Sequence, residues 1–353
     1  MLFKSVVSLA FIAAAAAQAT KGKVFDHIFV VFLENTDYTL ASTNTNLTSF
    51  LSEGILLDNY SGVTHPSAPN YIAAAGGDYF GLADDDYHAI PASYNTIVDL
   101  LEKKGLTWKA YQEDLPTPCF KDFVSNDGLY FRKHNPFVQY DSIATNATRC
   151  NNIVPATQLA TDVSNGALPN YSFYTPNMLN DGHNTTIKYA ADWVQTFLPP
   201  LLSNKNFTTN TLVVLTFDET ETYTIANRVF TVLLGDVVAS AKNTTDSTFY
   251  THYSLLSTVE SNWDLGNLGR QDINPQVSNV FDIVAKATGY TNVNVTNPPL
   301  LNDTIPGFLT VNATGSTGAG AGSPNKPSGA STIASSKVMA AVAAMVGVFA
   351  AMI

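Results

Sequence analysis

Val24-Phe25-Asp26-His27-Ile28-Phe29-Val30-Val31-Phe32-Leu33, followed at once by Glu34-Asn35, is the stretch on which the fold turns. β-Branched and aromatic residues run through it almost without a break. A segment with no polar face predicts a strand covered on both sides, as in a parallel sheet. Thr211–Phe217 (TLVVLTF) and Arg228–Leu234 (RVFTVLL) have the same character, and shorter strands are expected at Thr107–Tyr111 and Asn170–Tyr174. Between them, apolar residues recur with helical spacing over Tyr94–Lys104, Ala190–Leu202 and Tyr253–Trp263. Strands alternating with helices predict a doubly wound α/β domain, with a possible lid insertion over residues 112–155.

Of the 353 residues, 45% are hydrophobic and 13% charged, with a net charge of -11. That much apolar sequence rules out global disorder, and the acidic balance argues against a nucleic-acid partner, which calls for a basic face. Charged residues are about half as frequent as usual, so something else must solvate the surface. Asn-x-Ser/Thr triplets at Asn46, Asn59, Asn146, Asn170, Asn184, Asn206, Asn243, Asn294, Asn302 and Asn312 supply candidate glycosylation sites for that purpose. Cys119 and Cys150 are the only cysteines, and in an oxidising compartment they are expected to form one disulfide.

Both ends carry processing patterns. Residues 1–19 combine Lys4, an apolar run from Val6 to Ala17 and the small-x-small triplet Ala17-Gln18-Ala19, which reads as a secretory signal peptide. Residues 20–308 form the expected domain and 309–328 a Gly/Ser/Pro-rich linker. Residues 329–353 read as a GPI-anchor signal with Ser328 as the attachment site. The closing apolar segment, Val338–Ile353, is shorter than the about 20 residues of a membrane-spanning helix, the alternative reading. The expected location is extracellular, on the outer membrane leaflet through the lipid anchor.

In an open α/β sheet, ligands bind beyond the carboxyl ends of the strands. Glu34-Asn35 follow the first strand and Asp218-Glu219 follow Thr211–Phe217, while Asn180-Asp181-Gly182-His183 come shortly after Asn170–Tyr174. Acids crowded together are costly without a cation, so Glu34, Asn35, Asp218 and Glu219 are candidate ligands of a divalent metal of open identity. Solvated turn acids are the alternative. Thr64, before a Pro-containing turn and a helix of small residues, would sit at a helix N-terminus suited to phosphate. Its hydroxyl could act as a metal-activated nucleophile or as a plain N-cap. His183 and His252 suit phosphate binding or proton donation, with core or capping roles as the alternative. No GxSxG elbow, GxxxxGK[ST] loop or HExxH helix is present, which gives no support to α/β-hydrolase, P-loop or zincin readings.

Taken together and in order, Phe32-Leu33-Glu34-Asn35, Thr64-His65-Pro66-Ser67-Ala68-Pro69-Asn70-Tyr71, Asn180-Asp181-Gly182-His183, Thr216-Phe217-Asp218-Glu219 and Thr251-His252-Tyr253-Ser254-Leu255-Leu256 form a recognisable set. The set resembles the phosphoesterase family that unites fungal secreted acid phosphatases with bacterial acid phosphatases and phosphatidylcholine-type phospholipases C. The resemblance implies an alkaline-phosphatase-like α/β/α sandwich with a mostly parallel central sheet, and metal-assisted phosphoryl transfer. It implies Glu34, Asn35, Asp218, Glu219 and Thr64 as metal ligands and Thr64 as the nucleophile. His65, Asn70, His183 and His252 would then surround the phosphoryl group. An acid phosphatase that hydrolyses small phosphomonoesters through a phosphothreonine is the expectation. A phospholipase C-type phosphodiesterase and a non-catalytic GPI-anchored wall glycoprotein are the alternatives.

Overall fold

A computed structural model describes residues 20–310. The signal segment, Asn312, Ser328, the anchor signal and all but the first two residues of the linker lie outside the described residues. Among the described residues, nine strands form one sheet: β1 His27–Leu33, β2 Ile55–Ser61, β3 Trp108–Gln112, β4 Ile153–Pro155, β5 Tyr171–Thr175, β6 Thr211–Phe217, β7 Arg228–Leu234, β8 Thr244–Asp246 and β9 Tyr250–Thr251. Their order is β4-β3-β5-β1-β6-β7-β2-β8, and β9 also pairs with β2. The stretch that opened the sequence reading lies at the centre, with β1 paired in parallel to β5 and to β6.

One expectation needs correction. Arg228–Leu234 is a strand, but it runs antiparallel to both neighbours, β6 and β2. Residues 218–227 connect β6 to β7, and a parallel crossover takes a dozen or more residues. A hairpin-like return is therefore the connection that fits. β2 was not expected at all, because Asp58-Asn59 interrupts its apolar run near the sheet margin. Since β2 opposes β7, which opposes β6, it points the same way as β1, β5 and β6, and its carboxyl end joins theirs at one edge.

Alternation along β1 sends Phe29 and Phe32 to opposite faces. Phe29 packs against Phe197 of the helix Ile187–Leu202, ring centroids 6.4 Å apart, and against Phe207 at 5.0 Å. Phe32 packs against Tyr71 of the helix Ser67–Gly76 at 5.3 Å, and against His252, which opens the helix His252–Trp263, at 4.8 Å. Helices thus cover both faces, giving the α/β/α sandwich. β6 is buried along its whole length, and β1 from Ile28 onward. Each fully covered side chain of this kind contributes roughly 1.5–3 kcal/mol.

The excursion between β3 and β5 holds two 3-10 turns, Arg132–His134 and Pro136–Gln139, three short helices and β4. It is closed by the Cys119–Cys150 disulfide. Among the glycosylation candidates, Asn170 must be withdrawn. It is 1% exposed, and its amide nitrogen donates to the carbonyls of Thr20 and Asp26 while its Oδ1 accepts from Thr107. No glycan can be carried from that position without dismantling the entry to β1. Among the described residues, no helix is long and apolar enough to cross a membrane.

Candidate active site

Five strand ends feed the same edge of the sheet. Glu34 and Asn35 follow β1, the segment Gly62–Ser67 follows β2, Asp181 and His183 come after β5, Asp218 and Glu219 follow β6, and His252 follows β9. Glu34, Asp181, Asp218 and Glu219 are buried, Glu34 at 1% exposure and the others at 0%. Burial pushes the Glu34 carboxyl up to about 7, against the opposing pull of Lys133, Tyr71 and Ser67. Burial, followed by the charge of Glu34, likewise drives Asp218 and Glu219 well above the usual carboxylate range. Four acids in one desolvated space are stable as carboxylates only when a cation neutralises them.

The hydroxyl that meets these acids belongs to Ser67. Its Oγ donates to Glu34 Oε2 at 3.0 Å and lies 3.1 Å from Glu219 Oε1 and 3.4 Å from Asn35 Oδ1. Ser67 is the first residue of its ten-residue helix, so the free N–H groups and the positive end of the dipole flank the same hydroxyl. Thr64 is also buried, but its Oγ1 turns back to the carbonyl of its neighbour His65 at 3.4 Å. The two hydroxyls are three residues apart. Entry into the helix separates their directions, and only Ser67 starts on the turn that faces the acids.

The other sequence candidates divide in the same way. Asn70 spends its side chain on the turn. Oδ1 accepts from the backbone of Val63 at 2.8 Å and of Thr64 at 3.3 Å, and Nδ2 donates to the carbonyls of Thr64 and Pro66. It therefore shapes the loop and has nothing left for a substrate. His65 contacts the Glu219 carboxylate through Nδ1 and stacks on Tyr223, ring centroids 3.8 Å apart, which makes it a support for an acid. His252 is fully buried beneath Asp218. Its Nε2 donates to the Asp218 carbonyl at 2.6 Å, and its Nδ1 lies 3.1 Å from the Tyr60 hydroxyl. With both ring nitrogens engaged and no solvent access, it fixes the end of β6 and cannot reach a leaving group. His183 alone of these imidazoles stands at the solvent-facing mouth.

Three participants are not among the sequence candidates. His134 is 2% exposed, with Nε2 3.2 Å from Glu34 Oε1 and Nδ1 3.4 Å from Asp181 Oδ2. Lys133 is buried beside it, and its Nζ donates to His183 Nε2 at 3.0 Å and to Asp85 Oδ2 at 3.2 Å. Burial works against the Lys133 charge, but Asp85 and Glu34 outweigh it and hold its pKa above the ordinary value. The third, Tyr71, donates to Glu34 Oε1 at 2.5 Å; its place on the helix face above Ser67, at i+4, was the one available clue. Lys133 and His134 arrive from the disulfide-closed excursion, a placement that only the tertiary fold specifies.

A divalent cation fits these residues. Asp218 Oδ2 and His65 Nε2 are buried without a hydrogen-bond partner, although buried polar atoms ordinarily have one, and Asp181 Oδ2 and His134 Nε2 have only the ion-pair contacts given above. Donor atoms of Glu34, His134 and His183 lie within 4.8 Å of one another. The set is mostly oxygen with added imidazole, which suits hard or borderline ions.

The model of the phosphoesterase family matches residues 36–266, a span that runs from just after the first acids to beyond His252. The chain belongs to the phosphoesterase family. This phosphoesterase is 48% identical over 295 residues to a probable acid phosphatase of Kluyveromyces lactis, covering 82% of this chain and 69% of that protein. It is 46% identical over 294 residues to an acid phosphatase of Aspergillus fumigatus, covering 81% of this chain and 65% of that one. The chain thus spans about two thirds of the length of these relatives. A solved structure of an alkaline phosphatase superfamily protein from Vibrio parahaemolyticus overlaps 72% of this chain and 70% of its own, with 11% identity and a TM-score of 0.47. The phosphoesterase is a phosphoric ester hydrolase, and phosphoesters are its substrates.

Proposed function

We propose that this phosphoesterase is a metal-assisted acid phosphatase acting on phosphomonoesters, with Ser67 in the nucleophilic role first expected of Thr64. The observation that carries the reading is the position of Ser67 Oγ, at the start of its helix and 3.0–3.4 Å from Glu34, Glu219 and Asn35. Glu34, Asn35, Asp218 and Glu219 would hold the cation. When bound, it supplies charge that favours the ionised hydroxyl and neutralises phosphoryl oxygens.

The protein's own groups do the rest. Ser67 Oγ attacks phosphorus while its proton passes to the Glu34 or Glu219 carboxylate. The ester oxygen leaves with the bonding pair and takes a proton from solvent at the mouth, because His183 accepts from Lys133 through Nε2 and burial, followed by the Lys133 charge, holds its pKa down to about 4. Water then attacks the phosphoserine, its oxygen bonding to phosphorus with both hydrogens going to the released phosphate, while the proton held by the glutamate returns to Ser67 Oγ as the Ser67 Oγ–phosphorus bond breaks. Positioning by the helix end and charge stabilisation supply most of the rate in such transfers. His65, His252 and Asn70 support this arrangement by holding Glu219, Asp218 and the 63–66 turn.

Ser67→Ala and Thr64→Val, assayed on p-nitrophenyl phosphate with bis(p-nitrophenyl) phosphate as the diester control, test the assignment. Loss of Ser67 lowers kcat by ~10³-fold or more, as removal of a nucleophile does, and a phosphate-labelled, acid-quenched peptide carries its label on Ser67. Full turnover in Ser67→Ala would refute it. The reading extends to the chain ends as processing at Ala19 and a lipid anchor at Ser328, supported by the sequence patterns. Release from cells by a phosphatidylinositol-specific phospholipase checks the anchor.

A further inference from the structure

Asp85 lies on a strap between two anchored ends. Leu82 and Ile90 are buried at 4% and 0% exposure, and Ile90 is tied to the Gln139 carbonyl at 2.8 Å and bridged to Tyr140. Between them Asp84, Asp86 and Tyr87 face solvent. Besides the His88 N–H bond to Gln139 Oε1 at 3.3 Å, two contacts hold the middle of the strap down. The Arg132 guanidinium sits 4.6 Å over the Tyr87 ring, and Asp85 reaches inward.

The Asp85 carboxylate makes two bonds, one with each oxygen. Oδ1 accepts from the Ala68 backbone N–H at 3.0 Å, in the first turn of the Ser67–Gly76 helix. Oδ2 accepts from Lys133 Nζ at 3.2 Å. These are the two features that recognise a phosphoryl group, a free N–H at a helix N-terminus and an ammonium, and they stand one residue and one side chain away from Ser67. The Lys133 side chain is only 9% exposed. A cation so buried is costly unless an anion meets it. Asp85 also adds negative charge beside Glu34 and Glu219, so its position is electrostatically strained toward the acids and favourable only toward Lys133 and Ala68.

We propose that Lys133 Nζ and the Ala68 N–H form the seat for the phosphoryl oxygens, and that Asp85 is an internal carboxylate plug filling this seat in the free protein. The inference rests on the phosphatase reading above and adds a binding residue and a gate to it. A phosphate carries about 1.5–2 negative charges against the single charge of a carboxylate, so it displaces the plug. Asp85 has a short way to go, because its side chain is already 33% exposed and its neighbours on the strap are in solvent. Affinity for phosphate is then reduced by the fraction of molecules in which the plug is seated.

The test uses the full metal-loaded chain and its Asp85→Asn, Asp85→Ala and Lys133→Gln variants. Inorganic phosphate is the probe, read by calorimetric titration, by competition against p-nitrophenyl phosphate hydrolysis and with elemental metal content. Asp85→Asn and Asp85→Ala are expected to bind inorganic phosphate about tenfold more tightly and Lys133→Gln about tenfold or more weakly, the scale of one charge-assisted hydrogen bond. All should keep the wild-type metal content. Unchanged or weaker phosphate binding in both Asp85 variants overturns the plug, as does loss of metal, which would make Asp85 a ligand. Titration reads the seat independently of turnover. A wild type that binds phosphate without hydrolysing p-nitrophenyl phosphate therefore denies the phosphatase reading and leaves the plug to be judged on its own variants.

Discussion

Behind the active-site helix, Glu260 offers a test of the electrostatics that is independent of metal. It is 6% exposed, its Oε1 has no partner, and it faces Asp272. Asp272 accepts from the backbone N–H groups of Leu268, Gly269 and Arg270 at 2.7, 3.2 and 2.7 Å, an arrangement that suits a carboxylate. Burial, and then the Asp272 charge and hydrogen bond, push the Glu260 carboxyl up to about 9, with Arg270 pulling the other way. Glu260 is therefore protonated in the folded protein at neutral pH and ionised in the unfolded chain, where its reference value is 4.5.

The sign follows from proton counting. Between about 4.5 and 9 the folded state binds one more proton than the unfolded one, so stability falls as pH rises, by about 1.4 kcal/mol per unit. From pH 4.5 to 7 this amounts to roughly 3 kcal/mol, a large part of a typical folding free energy. Glu260→Gln keeps a donor for Asp272 and removes the titration. In urea melts at pH 4.5, 5.5, 7 and 8, the variant should match the wild type at the acid end and exceed it by a growing margin as pH rises. A difference that stays constant across the series would refute the reasoning.

Three further outcomes are expected. Asn70→Ala strips four hydrogen bonds from the 63–66 turn and should lower stability by roughly 1–3 kcal/mol, with a fall in kcat that exceeds any change in KM, measured by denaturation and steady-state kinetics. Replacing Cys119 and Cys150 by Ser opens a loop with a sequence separation of 31, which costs roughly 3–4 kcal/mol on the chain-entropy estimate. Reduced thermal stability and weaker phosphate binding should accompany it, because Lys133 and His134 lie inside that loop. Peptide mapping of the protein expressed through a eukaryotic secretory pathway should find Asn170 unmodified, whereas exposed Asn146 and Asn206 are open to glycan addition.

Much of the sheet was legible because its information is local. Unbroken apolar runs mark β1, β6 and β7, and the acids directly after β1 and β6 mark the edge where they end. Strand direction is not a property of a run, and the short 218–227 connection was the unused clue to β7. That Ser67, and not the Thr64 expected from the sequence, meets the acids has a related reason. Both hydroxyls flank the same Pro-rich turn, and their directions are decided by Asn70 clamping the turn and by where the helix starts. Lys133 and His134 were illegible because they come from an excursion with no ligand spacing, and their neighbours Glu34, Asp181 and His183 are distant in sequence. The bonds that disqualify His252 as an acid, to Tyr60 and to the Asp218 carbonyl, are long-range too.

The central position of β1 has a consequence for how the chain is made. Among the described strands it is the first to be synthesised, yet its two partners, β5 and β6, begin only at Tyr171 and Thr211. A nascent chain therefore carries its most apolar strand with both hydrogen-bonding edges open while well over a hundred further residues emerge, the condition in which strands pair wrongly. Neither Asp218 nor Glu219 exists until that wait is over. The edge that carries the acids thus cannot be completed until β6 has emerged, and the growing chain has no chemistry to perform before then.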